Sequence, residues 1–121
     1  MGTSLVIDDD PAMRSTLRRI LERDGHEVRE AGDGLAGLRV FRERPTDVVV
    51  TDILMPGKEG IETIVELREE APDVKILVIS GGGSFQVETV LDDAEAIGAN
   101  ASLAKPFTID QLRNAVAALL A

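Results

Sequence analysis

Four carboxylates, a hydroxyl and an ammonium stand at the ends of short apolar runs in this sequence. Asp8-Asp9-Asp10 follows Ser4-Leu5-Val6-Ile7, and Thr51-Asp52 follows Val48-Val49-Val50. Ser80 follows Ile76-Leu77-Val78-Ile79 and precedes Gly81-Gly82-Gly83, while Lys105-Pro106 follows Ala101-Ser102-Leu103-Ala104. Where those run ends meet, Asp8, Asp9 and Asp52 share one pocket. Two like unit charges roughly 4 Å apart cost about 4 kcal/mol at an effective dielectric of about 20. Either one proton is retained there or a cation sits among the oxygens. Hard oxygen ligands select Mg²⁺, with Mn²⁺ as a possible substitute. A metal, a lysine and a hydroxyl around a carboxylate are the parts that stabilise charge on a transferring phosphoryl group. The carboxylate of Asp52 is then the nucleophile.

The elements that must position these groups follow from the pattern between them. The apolar runs at 4–7, 48–50 and 76–79 suit strands buried on both faces of a parallel sheet. Glu27-Val28-Arg29-Glu30-Ala31 is more polar and alternates, which suits an edge strand, and the short 101–104 run suits the other edge. Amphipathic segments separate the runs. Asp10 reads as an N-cap with Pro11 at the first helical position, and Met13, Leu17, Ile20 and Leu21 share one face. Gly25 stops that helix. Asp33 caps a second, with Leu35, Leu38 and Phe41 inward. Ile61, Ile64 and Val65 mark a third, ended by Pro72. Val87, Val90, Leu91 and Ala94 mark a fourth, ended near Gly98. Thr108 and Gln111 form a capping box for the last helix, with Phe107 stapled onto Leu112 and an inward face of Ile109, Leu112, Val116 and Leu119. Five strands alternating with five helices give an α/β, doubly wound (βα)₅ sandwich. With polar strands at the edges, the sheet order is 2-1-3-4-5, and ligands bind at the carboxyl ends beside the switch between strands 1 and 3.

Composition bounds the alternatives. The 121 residues fit one domain, and 44% hydrophobic content is enough for a core without disulfides; there is no cysteine for a thiolate metal site or nucleophile. A net charge of −9 disfavours nucleic acid and anionic membrane as partners. No apolar window approaches the roughly 18 residues of a membrane span. Met1-Gly2-Thr3-Ser4 lacks the features of a signal peptide, so a cytoplasmic location is the default expectation. The three glycines at 81–83 are not followed by Gly-Lys-Ser/Thr, so a nucleotide-binding loop is disfavoured. His26, beside Gly25, reads as an exposed turn residue rather than a phosphoryl donor. Met13 reads as core or as the border of a donor's docking surface.

Leu5-Val6-Ile7-Asp8-Asp9, Asp52-Ile53-Leu54-Met55-Pro56-Gly57, Ser80-Gly81 and Lys105-Pro106-Phe107 together resemble the receiver domain of bacterial two-component response regulators. The resemblance runs over essentially the whole chain and treats residues 1–121 as one receiver domain of the single-domain, chemotaxis-regulator kind. It implies a flavodoxin-like fold. It also implies that Asp52 is the phosphoacceptor, that Asp9 ligates Mg²⁺ directly and Asp8 largely through water, and that the Leu54 backbone carbonyl completes the protein ligands. Ser80 would hydrogen-bond the phosphoryl group and Lys105 would pair with it, across a cis bond to Pro106. A histidine kinase or histidine phosphotransfer protein would be the donor. The output would be a protein partner met by the face of the fourth helix, fifth strand and last helix, with the domain a monomer or a phosphorylation-dependent dimer. Such a domain catalyses only its own phosphorylation and dephosphorylation.

Two features depart from the family's pattern. Ser102 stands three positions before Lys105, where receivers usually carry Tyr or Phe. The step from Ser80 to Lys105 is also a few residues longer than is common. Both bear on output rather than on phosphoryl chemistry. They keep alive a phosphorylation-independent interaction module of the same fold. A phosphatase of the haloacid-dehalogenase type is a further alternative, but it would place two aspartates two residues apart on the first strand. The chain ends with its last predicted helix, so the expectation is either a stand-alone protein or the receiver part of a longer one.

Overall fold

The computed structural model describes residues 2–52, 60–80 and 98–121. Five strands, β1 (Thr3–Ile7), β2 (Glu27–Ala31), β3 (Val48–Asp52), β4 (Lys75–Ser80) and β5 (Ala101–Ala104), form one parallel sheet in the order β2-β1-β3-β4-β5. The described helices are α1 (Pro11–Arg23), α2 (Gly34–Glu43), α3 (Gly60–Glu70) and the C-terminal helix Ile109–Leu120. This is the expected doubly wound order, with the two polar strands at the edges. The fourth predicted helix, with Val87, Val90, Leu91 and Ala94, lies outside the described residues, as does the Leu54 carbonyl.

Alternation along the central strands builds two cores at once. Leu5, Ile7, Val49, Ile76 and Val78 face Leu38, Phe41, Ile64 and Leu67 of α2 and α3. Val6, Val48, Val50, Leu77 and Ile79 face Leu17, Ile20 and Leu21 of α1 and Leu112 and Val116 of the C-terminal helix. Gly37 permits a close approach on the first of these faces: a Cβ there would fall 2.4 Å from Ile7 Cδ1.

The helix ends follow local chemistry. Asp10 Oδ1 accepts from Ala12 N at 3.0 Å, with Pro11 behind it. Gly25 takes a positive φ of 89° and closes α1, with Gly25 N bonded to Glu22 O and His26 N to Leu21 O. Asp33 Oδ1 caps α2 through Ala36 N at 2.7 Å. The Thr108–Gln111 capping box forms in both directions, and Phe107 packs on the adjoining core.

Four of the apolar residues that mark the helices prove exposed. Leu35 and Ile109 are each 55% exposed. Both stand in the first turn of a helix that starts at the carboxyl rim, ahead of the apolar surface that buries Leu38 and Leu112. On α3 the buried stripe is Thr63, Ile64 and Leu67, whereas Ile61 and Val65, four residues apart, share an exposed stripe. Periodicity located these helices but set the buried arc a fraction of a turn off.

Candidate functional site: an acidic rim at the strand ends

Strand register levels the functional residues. Ile7 pairs with Thr51, Asp52 with Ile79 and Ser80 with Ala104, so β1, β3, β4 and β5 end on one rim. Asp8 and Asp52 are buried, at 1% and 6% exposure, and Asp9 is exposed. One carboxylate oxygen from each of the three lies within 4.8 Å of the others. Asp10 stays outside this group as the α1 cap. Lys105 reaches in from the end of β5, with Nζ 3.2 Å from Asp52 Oδ2 and 3.7 Å from Asp8 Oδ2. The Lys105–Pro106 bond is cis. Lys105 N donates to Ser80 O at 2.9 Å, so the backbone joins these two residues as well.

The electrostatics reflect burial first. Desolvation raises the Asp8 carboxyl above its usual range. A hydrogen bond from Asp10 N to Asp8 Oδ1 at 2.9 Å and the Lys105 charge oppose the rise, while Asp52 and Asp9 add to it. The donor set is all oxygen, crowded and negative, which fits a hard divalent cation. Ser80 Oγ is fully buried and has no hydrogen-bond partner among the described residues. A buried hydroxyl left without a partner costs about 1–3 kcal/mol.

Two further features were not apparent from sequence. Arg14 Nη1 donates to the Asp8 carbonyl at 2.8 Å. A mostly apolar cavity of about 450 Å³ opens beside Lys105, lined by Met13, Thr16, Ile20, Pro106, Phe107 and Ile109. The spacing of Met13, Thr16 and Ile20 signals one helix face, but nothing in it marks a face left partly open. His26 corrects an expectation: it is half-buried, and Nδ1 lies 2.7 Å from Oγ of the buried Ser4. Burial lowers its pKa.

Comparison with known proteins agrees with this architecture. The model of the response regulator receiver domain matches residues 4–117, and the chain belongs to that family. The response regulator MprA of Mycobacterium leprae (strain TN) is 39% identical over 117 residues, which is 96% of this chain and 50% of that protein. MprA of Mycobacterium sp. (strain KMS) is 38% identical over 116 residues. The chain thus spans about half the length of the curated relatives it matches. A response regulator receiver domain protein from Clostridium thermocellum superposes with a TM-score of 0.89 at 31% identity, covering 99% of this chain and 94% of that one. The chemotaxis protein CheY4 of Vibrio cholerae gives 0.86 at 26% identity, covering 98% of each. The chain is a receiver domain of two-component signalling. Among the described residues, no helix is long and apolar enough to cross a membrane.

Proposed function

We propose that residues 1–121 act as one phosphoryl-accepting switch, with Asp52 as the acceptor and a phosphohistidine of a histidine kinase or phosphotransfer protein as the donor. The observation that carries this reading is the Lys105 ammonium, 3.2 Å from Asp52 and 3.7 Å from Asp8, on a rim that also carries the buried Ser80 hydroxyl, without a hydrogen-bond partner among the described residues. Asp8, Asp9 and Asp52, with the Leu54 carbonyl, would hold Mg²⁺ (or Mn²⁺). When bound, the metal supplies positive charge against the phosphoryl oxygens.

The chain's own residues do the remainder. An Asp52 carboxylate oxygen attacks phosphorus, the phosphorus–nitrogen bond to the donor breaks, and the leaving imidazole keeps the electron pair. Lys105 moves its pairing from the carboxylates to the new phosphoryl oxygens, and Ser80 Oγ gains a hydrogen-bond partner. Water later attacks phosphorus, releases phosphate and regenerates Asp52. The cycle modifies only the domain itself. The apolar cavity bordered by Met13, Thr16, Ile20, Pro106 and Phe107 opens beside Lys105 and suits the donor's docking surface. Output goes to a protein partner in a cytoplasmic pathway, from a monomer or a phosphorylation-dependent dimer.

Incubation with acetyl phosphate and Mg²⁺, followed by intact-mass spectrometry, tests the reading. Wild type gains one phosphoryl group and Asp52→Ala gains none. An unlabelled wild type, or an equally labelled Asp52→Ala, overturns it.

A further inference from the structure

The Asp8-Asp9-Asp10 turn carries two of the three clustered carboxylates, and its own charge works against that placement. Asp9 is exposed, so its side chain can relieve the repulsion by swinging outward. Where it points depends on the peptide plane between Asp8 and Asp9. Arg14 stands one turn into α1. Its Nη1 donates to the Asp8 carbonyl at 2.8 Å, and its Nε lies 3.5 Å from Glu30 Oε1 on β2. Glu30 Oε2 in turn takes Arg18 Nη1, and Arg18 Nε reaches Glu22 at 3.1 Å. A Cβ on Gly32 would fall 3.4 Å from Arg14 Nη1, so the guanidinium fills the space between the ends of β1 and β2. Other bonds hold the turn from its remaining sides. Asp8 N donates to Ala31 O at 3.1 Å, Asp10 N to Asp8 Oδ1 at 2.9 Å, and Arg14 N to Asp10 O at 2.9 Å.

We propose that Arg14 is a positioning residue for the metal site: its tie from the Asp8 carbonyl to Glu30 fixes the Asp8–Asp9 peptide and presents both carboxylates before the cation arrives. The inference rests on the phosphoryl-acceptor reading of the same rim. The planar guanidinium serves a carbonyl on one edge and a carboxylate on another, a geometry that a lysine ammonium cannot reproduce. Outer partners of this kind typically change metal affinity by about 10- to 100-fold when removed.

Calorimetric titration of the metal-free chain with Mg²⁺ tests the proposal on wild type, Arg14→Ala, Arg14→Lys and Glu30→Gln. The chain has no Trp or Tyr, so heat rather than intrinsic fluorescence is the practical readout. Thermal unfolding of the same proteins in chelator separates affinity from fold stability. Arg14→Ala is expected to bind Mg²⁺ about 10-fold more weakly, with Arg14→Lys between it and wild type. Labelling of Arg14→Ala by acetyl phosphate recovers at saturating Mg²⁺, because the reacting groups are intact. A wild-type Mg²⁺ affinity in Arg14→Ala overturns the proposal, whatever its melting temperature. Should Arg14→Ala fail to fold, Arg14→Lys and Glu30→Gln decide, and wild-type affinity in both overturns it. If wild type itself binds no Mg²⁺, the reading of the rim fails and this inference falls with it. If wild type binds and the variants match it, only the role of Arg14 fails.

Discussion

The two ends of the sheet both carry polar groups and treat them in opposite ways. At the amino end of the strands, polar side chains pair within the protein, whether exposed like Asp47 and Asn100 or buried like Ser4. Asp47 Oδ2 accepts from Thr3 N at 3.0 Å, Ser4 Oγ meets His26 Nδ1, and Asn100 Oδ1 accepts from Ile76 N at 2.8 Å. Arg68 spreads its guanidinium over the carbonyls of Gly98, Pro72 and Val74 and over Asn100 Oδ1. At the carboxyl end, three carboxylates crowd together, two of them against the Lys105 ammonium, and the buried Ser80 hydroxyl lacks a hydrogen-bond partner among the described residues. Burial alone therefore does not mark a functional group in this fold. What sets the proposed site apart is polarity left incompletely matched among the described residues on one rim.

Substitutions at matched positions on the two ends sharpen or break this contrast. The largest effect is expected at Lys105. Lys105→Ala should slow acetyl-phosphate labelling of Asp52 by about 100-fold or more, read by mass spectrometry over time. Arg68→Ala should leave the labelling rate unchanged while lowering unfolding free energy by roughly 2 kcal/mol in a urea titration, because several carbonyls, part-buried or exposed, lose a charged donor. Equal labelling defects in both variants would erase the distinction.

The two buried serines give a smaller and more pointed test. Ser4→Ala removes a partner from His26 and should cost about 1 kcal/mol. Ser80→Ala removes only an orphaned hydroxyl and should be neutral, or stabilising by up to about 1 kcal/mol, in the metal-free protein. Its cost should appear instead as slower labelling. A destabilised Ser80→Ala would show that the hydroxyl is satisfied after all.

The smallest effects are slopes against pH. Burial raises the Asp8 carboxyl above its ordinary value of 3.8. Folding therefore favours its protonated form, and the associated stability is present below that value and lost as pH rises through the folded pKa. His26 runs the other way. Its pKa is lowered from 6.5, so its contribution is present above that value and lost as pH falls through the folded pKa. Asp8→Asn should flatten the acidic slope of metal-free stability, and His26→Gln the slope just below neutrality, each measured by chemical unfolding across pH. In the proposed metal site the Asp8 carboxylate helps hold Mg²⁺, so the affinity in wild type should fall as pH drops through that raised pKa. A midpoint at or below 3.8 would count against the burial argument.

Much of this was legible in the sequence because it depends on local rules. Val48-Val49-Val50 reads as a doubly buried strand, and the polarity of Glu27–Ala31 reads as an edge. Asp10-Pro11, Asp33, Gly25 and the Thr108–Gln111 pair each dictate a helix end within a few residues. The rim was legible because strand order places Asp8, Asp52, Ser80 and Lys105 together once the edges are known. What escaped depends on contacts between distant elements. Leu35 and Ile109 fit an apolar period, yet their first-turn positions leave them exposed. His26 looked like a surface turn because its partner, Ser4, lies 22 residues away on another strand. Arg14 carries no signal in the sequence, since neither Glu30 nor the Asp8 carbonyl announces itself from α1.

The 2.9 Å bond from Lys105 N to Ser80 O has a mechanical meaning. The two side chains proposed to grip the phosphoryl group are mounted on one hinge-free jaw, because neighbouring strands are pinned at the point where both residues emerge. A tug on either side chain displaces the other's mount. Their substitutions should accordingly combine with less than additive damage, as two fingers of one hand would.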